Sequence, residues 1–443
     1  MTAISDTLAI RPLTPGQTVQ TTIRVPGSKS ITNRALLMAA LADGDSLLEN
    51  GLDSEDSRHM VNSLRSLGFL LTTESRDRST AAFVIGGRAG QIAAIKADLF
   101  VGNSGTTARF LTAAVALGNG IYRIDGIPRM RERPIAPLLD ALRPLLPAAA
   151  SIEADGGKFP LTIHAHGLKG GLTQLDASAS SQFLSALLLA APYASAPVQI
   201  VLSGPLVSEP YIETTLRMMA HFGVTVDRPD AQRFQVPVGQ YQAQRPYVIE
   251  PDASNASYFF AAAAVSGGVV TVPYLKRDSL QGDMHFLDVL AQMGCTVSYT
   301  AQGVTVHGPA QLCGVDVDMN AISDTAQTLA AIAPYADSPV TIRNIGHVRH
   351  KETDRIDAMV NELRRLGAPV EAFADGLRIE PGPLHGATVQ TYQDHRMAMA
   401  FAVTGLRTPG IIIADPACTH KTFPDFFERF ARLYTVDSTD GLS

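Results

Sequence analysis

The stretch Gly27-Ser28-Lys29-Ser30-Ile31-Thr32-Asn33-Arg34-Ala35-Leu36-Leu37-Met38-Ala39-Ala40-Leu41 joins a short polar opening to a run that is apolar nearly all round. A helix without a polar face belongs in the interior. The pattern recurs five more times, opening at Asn103-Ser104-Gly105-Thr106, Ser180-Ser181-Gln182, Asp252-Ala253-Ser254-Asn255, Ser323-Asp324-Thr325 and Asp394-His395-Arg396. Between Ser28, Asn103, Ser180, Ser254, Asp324 and Asp394 the intervals are 75, 77, 74, 70 and 70 residues. Such a period over the whole chain reads as one supersecondary unit used six times.

Working outward from the openings, the helical runs are followed by β-branched runs that include Tyr122–Ile124, Val198–Leu202, Val269–Val272, Val340–Ile342 and Ile411–Ile413. Five units then carry a second helix that ends at a brake. The brakes are Leu67-Gly68, Leu146-Pro147, Phe222-Gly223, Met293-Gly294 and Leu366-Gly367, where Gly supplies a left-handed turn and Pro stops continuation. In the sixth unit the second helix, around Pro424–Leu433, leads into a polar tail. These second helices are amphipathic, with Val61, Leu64 and Leu67 set against Arg58, Asn62 and Arg65, and belong at the surface. The fold class is therefore α/β with buried helices and outer sheets, two similar domains of three units each. The expected division is 28–250 and 1–27 with 251–443, from the polar stretch Tyr241–Pro251 and a crossing near Pro26-Gly27. The residues alone leave open which half takes the strand-like Thr22-Ile23-Arg24-Val25.

The chain has 443 residues, 46% hydrophobic and 18% charged, with a formal net charge of -6. It can bury large cores, and it has no overall basic field for nucleic acid or anionic membrane. Cys295, Cys313 and Cys418 show neither metal nor disulfide spacing, as suits a reducing compartment. Met1–Arg11 lacks the pattern of an export signal, and the apolar runs fall short of the roughly 18 residues that span a bilayer. A soluble cytoplasmic protein, monomeric and without nucleic-acid or membrane partners, is the expectation.

The openings are also helix N-termini, where Ser, Asn and Asp cap backbone N–H groups. Capping alone accounts for any single opening. What sets the group apart is its basic surroundings: Lys29, Arg34, Arg109, Arg129, Arg131, Arg133, Arg349, Lys351, Arg355, Arg396 and Lys421. N-terminal dipoles with Arg forks make a chamber for carboxylates and phosphates. Aromatic residues make up 6% of the chain, with no Trp and no aromatic stripe beside the cations, which disfavours nucleic-acid stacking. Gly27-Ser28-Lys29-Ser30 lacks the earlier Gly of a phosphate-binding loop, Gly102-Asn103-Ser104-Gly105 lacks the acidic partner of a dinucleotide site, and His164-Ala165-His166 reads as strand surface without nearby acidic groups. No metal site is expected.

Seven blocks, in order, resemble the enolpyruvyl transferase family over essentially the whole chain. They are Pro26–Ser30 with Asn33-Arg34, Gly102–Thr106, Pro128–Pro134, Ser180–Phe183, Lys351–Arg355, Asp394–Ala398 and Lys421–Pro424. Within the family they are most similar to the branch whose acceptor is shikimate 3-phosphate. The resemblance implies two domains of βαβαββ repeats that close on substrates in a cleft between them. It implies transfer of the enolpyruvyl group of phosphoenolpyruvate to the 5-hydroxyl of shikimate 3-phosphate, with release of phosphate, no cofactor, and inhibition by glyphosate.

Carried over by motif, Ser30, Arg34, Ser180, Ser181, Ser208, Tyr211, Asp324, His347 and Lys351 hold shikimate 3-phosphate. Gly105, Arg133, Arg355, Arg396 and Lys421 surround phosphoenolpyruvate, while Lys29 and Gln182 serve both substrates. The resemblance further implies Asp324 and Glu352 as the acid–base carboxylates, with either Lys29 or Glu352 expected to protonate the methylene. His347 stands where many relatives carry Asn, and Arg109-Phe110 replaces a common Arg-Pro. Two alternatives share the scaffold: transfer to UDP-N-acetylglucosamine, and a non-catalytic phospho-sugar sensor. Relatives of the first kind usually carry a Cys in the loop that here reads Gly126–Arg133, and this loop has none. Lys29, Asp324 and Glu352 together argue against the second.

Overall fold

The computed structural model describes residues 6–435. The start of Met1–Arg11 and the polar tail from residue 436, both read from the sequence, lie outside them. The described chain forms two compact units, a middle unit Gly27–Ile249 and a terminal unit built from the residues up to Pro26 and those from Glu250 onward.

The middle unit contains α1 (Lys29–Leu41), α2 (Glu55–Ser66), α3 (Gly105–Ala114), α4 (Pro128–Glu132), α5 (Ala136–Leu142), α6 (Ser181–Ala190) and α7 (Pro210–His221). Every residue of α3 is buried, as are α1 from Ile31 onward and all of α6 except Gln182. These three helices are the apolar runs that follow the first three openings. α3 packs against α1 and α6, with α2 and α7 outside them against α1.

Each inner helix delivers the chain to the second strand of its sheet. Asp45–Leu52, Asn119–Asp125 and Val198–Leu202 follow α1, α3 and α6. Asn119–Asp125 pairs parallel with Lys96–Phe100 and antiparallel with Leu161–His166, which is flanked by Ser151–Ala154. Val198–Leu202 lies parallel to Gly171–Leu175 and antiparallel to Arg233–Val236. In the first repeat the parallel place beside Asp45–Leu52 is taken by Tyr247–Val248 from the end of the unit; on its other side run Thr80–Gly86 and Leu70–Ser75.

The terminal unit repeats the plan with α8 (Ala253–Ser266), α9 (Phe286–Gln292), α10 (Ala326–Ile332), α11 (Arg355–Arg365), α12 (His395–Thr404) and α13 (Phe426–Phe430). α8, α10 and α12 are mutually packed and buried nearly all round. Val269–Pro273 takes Gln20–Thr22 as its parallel neighbour, so the strand ahead of the first repeat joins the fourth repeat's sheet. Sequence placed that strand at Thr22–Val25. The pairing instead covers Gln20–Thr22 and one further bond, from Ile23 N–H to Thr271 O at 2.9 Å, while Val25 is buried beyond it. Val340–Arg343 is parallel to Asp316–Asp318, and Ile412–Ala414 is parallel to Thr388–Val389 and antiparallel to Thr7–Ala9.

The braking glycines do as their positions require: Gly68, Gly223, Gly294 and Gly367 all have φ between 92° and 98°. Among the described residues no helix is long and apolar enough to cross a membrane.

Candidate active site

In the terminal unit the openings of the fifth and sixth repeats converge on one ionic cluster. Asp324 lies in the helical turn Asn320–Thr325 that leads into α10. Its Oδ1 accepts from Lys351 Nζ at 2.6 Å and from Arg355 Nη1 at 3.1 Å, and its Oδ2 accepts from Arg396 Nη2 at 2.7 Å. Arg355, the first residue of α11, also donates to Glu352 at 2.9 Å and through Nε to Asp394 at 2.7 Å. Lys421 lies 3.6 Å from Glu352. Asp394 caps α12, accepting the backbone N–H of Arg396 at 2.9 Å, and the Tyr258 hydroxyl lies 3.2 Å from Arg396 Nη1.

Lys351, Arg355, Arg396 and Lys421 face Asp324, Glu352 and Asp394 in this largely buried cluster. Burial opposes the charge on Arg355, and Asp394, Glu352 and Asp324 outweigh it, holding the guanidinium protonated well above its usual range. Burial also lowers Lys351, with Asp324 pulling it back up. His347 is pushed down to about 3, first by burial and then by Lys351, so at neutral pH it is an uncharged ring 2.9 Å from Ser323 Oγ. Taking one partner from such a network leaves a buried charge uncompensated, a loss larger than any single bond.

The middle unit assembles a second group. Lys29 opens α1, with Nζ 3.5 Å from the buried carboxylate of Asp56. Arg133 donates from Nη1 to Asn103 O at 3.0 Å and to Asn103 Oδ1 at 3.1 Å. A Cβ built on Gly105 would stand 2.6 Å from Arg133 Nη2 and 3.1 Å from Gln182 Oε1. Gly105, Arg133 and Gln182 are therefore brought together by the starts of α3 and α6 and the α4 loop. Ser180 caps α6 through the Gln182 N–H at 3.2 Å, and Ser181 is the helix's first residue. Ser208 adopts a left-handed backbone, φ 51°, just before α7, where Tyr211 is the second residue.

Arg34 is fully buried, with its guanidinium bonded to Thr215 Oγ1, Ser185 Oγ, Ser30 O and Tyr211 O. It ties Ser30 to Tyr211 across the inner helices. Burial lowers its pKa to about 10, still well above neutral.

Several basic residues that sequence groups around the openings also bind groups within their own unit. Arg109 donates to Pro134 O at 2.7 Å inside the unit. Arg131 grips Asp125 with two bonds, Arg129 pairs with Glu132, and Arg349 with Asp354 and Asp357. A charge is visible in a sequence, but the carboxylate beside it in space is not. Side-chain capping also holds at fewer openings than expected: α6, α8 and α12 are capped through Ser180, Asp252 and Asp394, whereas α1, α3 and α10 have no side-chain cap. His164, read as lacking acidic neighbours, has Glu153 at 3.1 Å on the adjacent strand, a cross-strand partner invisible to local sequence. No group of three or more metal-ligating side chains occurs among the described residues.

The family described as EPSP synthase (3-phosphoshikimate 1-carboxyvinyltransferase) matches residues 13–430. The chain belongs to the EPSP synthase family. It is 55% identical over 429 residues to the 3-phosphoshikimate 1-carboxyvinyltransferase of Nostoc punctiforme, covering 97% of this chain and 99% of that one. With the protein of the same name from Shewanella amazonensis it shares 47% over 429 residues, 96% and 99% of the two chains. The EPSP synthase structure from Acinetobacter baumannii superposes with a TM-score of 0.79 at 24% identity, covering 96% of this chain and 98% of the other. It shares the fold.

Asp56, Asp394 and Tyr258 also contact Lys29, Arg355 and Arg396 respectively, and none of the three is among the site residues expected from the sequence. Asp394 carried a signal, an acidic residue opening a helix otherwise destined for the core. Asp56 and Tyr258 carried none, because each meets its cation only through packing.

Proposed function

We propose that this member of the EPSP synthase family transfers the enolpyruvyl group of phosphoenolpyruvate to the 5-hydroxyl of shikimate 3-phosphate and releases inorganic phosphate. The observation that carries the reading is the convergence of Lys351, Arg355 and Arg396 on the two oxygens of Asp324. Donors already arranged around one carboxylate suit anionic oxygens, Arg355 and Arg396 those of phosphoenolpyruvate and Lys351 those of shikimate 3-phosphate. In this reading Arg355, Arg396 and Lys421, with Gly105 and Arg133, hold phosphoenolpyruvate. Ser30, Ser180, Ser181, Ser208, Tyr211, His347 and Lys351 hold shikimate 3-phosphate. Arg34 shapes that second set through Ser30 and Tyr211, and Lys29 and Gln182 serve both.

The chemistry needs a proton delivered to the methylene while the 5-hydroxyl loses its own and attacks the adjacent carbon. Phosphate then leaves the tetrahedral intermediate as a methyl proton is removed. Asp324 is the carboxylate assigned to the hydroxyl, and Glu352 or Lys29 to the methylene. Acid–base groups so placed contribute ~10²–10⁴-fold each, and alignment of the two substrates up to roughly 7–11 kcal/mol. The protein works in the cytoplasm in this reading. Phosphate release from phosphoenolpyruvate is expected to depend on shikimate 3-phosphate. Equal release with UDP-N-acetylglucosamine overturns the assignment.

A further inference from the structure

We infer that Glu362 is a positioning residue: it anchors the Gln390–Gln393 turn so that Asp394 keeps Arg355 and Arg396 in their working orientation. What those two arginines touch rests on the function proposed above; the anchoring rests on geometry alone.

Glu362 is completely buried on α11. Its Oε2 accepts the Gln390 N–H at 2.9 Å and Arg365 Nε at 3.0 Å, and its Oε1 accepts the Tyr392 hydroxyl at 2.7 Å. A buried carboxylate is costly unless its lone pairs are met, and here two of the three donors come from one short segment. That segment is strained. Tyr392 and Gln393 are consecutive non-glycine residues with φ of 55° and 57°, a conformation that persists only where the surroundings over-determine it.

The next residue, Asp394, donates its N–H to Thr391 O at 2.9 Å and receives Arg355 Nε at 2.7 Å. Arg355 and Glu362 are seven residues apart, two helical turns, and both lie on the buried face of α11. One helix therefore holds the turn at both ends: Glu362 fixes where it starts, and Arg355 takes the carboxylate it presents. Asp394 in turn receives the Arg396 N–H at 2.9 Å. An apolar residue at 362 would fill the same space without the cost of burying charge. It could not hold Gln390 and Tyr392.

The test compares Glu362→Gln and Tyr392→Phe with the wild-type chain. Glu362→Gln keeps one acceptor oxygen for the Gln390 N–H but replaces the oxygen that receives the Tyr392 hydroxyl with an amide donor, so the charge is lost and that contact survives only with its direction reversed. Tyr392→Phe deletes one hydroxyl from a partly exposed ring and leaves the core intact should the first variant fold poorly. Amide hydrogen exchange at Asp394 and Arg396 is expected to quicken at least about tenfold in both variants, while the buried turns of α8 stay protected. With turnover measured, KM for phosphoenolpyruvate is expected to rise ~3–10-fold in Tyr392→Phe and up to about 100-fold in Glu362→Gln, with KM for shikimate 3-phosphate within about twofold. A general loss of stability moves both constants, or kcat alone. Unchanged exchange at Asp394 and Arg396 overturns the inference, as does an equal rise of both KM values in Tyr392→Phe. A wild-type chain with no shikimate 3-phosphate-dependent turnover defeats the functional reading instead, and exchange still decides the anchoring.

Discussion

Gly105 shows how one position carries both packing and chemistry. Its backbone is helical, outside the left-handed region, so conformational freedom is not what the residue supplies. Space is. The nearest atoms to an added methyl are the tips of two flexible side chains, Arg133 Nη2 and Gln182 Oε1, which can give way. Gly105→Ala should therefore fold normally, its melting temperature within ~2–4 °C of wild type, while glyphosate, the longer ligand, loses more affinity than phosphoenolpyruvate. The check is the ratio of the glyphosate inhibition constant to the phosphoenolpyruvate KM, expected to rise at least about tenfold, or ~1.4 kcal/mol of discrimination. His347 carries a prediction about pH. Burial holds its folded pKa near about 3, against an unfolded value near ~6.5. Between those values the unfolded chain binds a proton that the native site refuses, so stability falls as pH drops through that window, by up to ~1.4 kcal/mol per pH unit from this group. Denaturant midpoints at pH 7 and pH 5 should converge in His347→Asn relative to wild type.

Among the elements, the outer helices are the most local part of the design. The residues that end them act through backbone conformation, which is why they could be read from the chain. Gly68 closes α2 with φ 92°, and a Cβ there would meet the Ala93 Cβ at 2.9 Å. That neighbour is fixed to its own backbone and cannot swing aside. Gly68→Ala should cost roughly 1–3 kcal/mol of stability, seen as a lower denaturant midpoint with unchanged slope, and leave KM values unaltered. The inner helices follow a different logic. Their apolar runs are unmistakable, but their openings were read alike, and the structure separates them: Ser180 and Asp394 cap their helices, while Asp324 gathers three cations ahead of α10. A polar residue before an apolar run has either use, and its neighbours in space choose between them.

At the scale of the whole chain, the middle unit is continuous and closes its first sheet with its own last strand. Tyr247 pairs with Leu48, Ile249 N–H bonds to Glu49 O at 2.9 Å, and Asn50 Nδ2 donates to Ile249 O at 2.7 Å. An excised segment 27–249 should unfold cooperatively on heating. Ending it at 245 removes the buried side chains of Tyr247 and Ile249, worth ~1.5–3 kcal/mol each, and should broaden or abolish the transition followed by circular dichroism. Six repeats, buried first helices, amphipathic second helices and the strands between them were all legible, because each depends on hydrophobic period and turn chemistry within a few tens of residues. The pairing of Gln20–Thr22 with Val269–Pro273 was not, since a short strand carries no mark of a partner some 250 positions away. The same limit governed the charges. Sequence by itself determined which cations and carboxylates the chain possesses and that many cluster at repeat openings. Only the tertiary structure decided that Arg109, Arg131 and Arg349 brace loops, that Arg355 and Arg396 share Asp324, and that Glu362 holds the turn before Asp394. The physical reason is that an ion pair or a buried hydrogen bond is set by distance in space, and folding brings together groups whose separation along the chain says nothing about it.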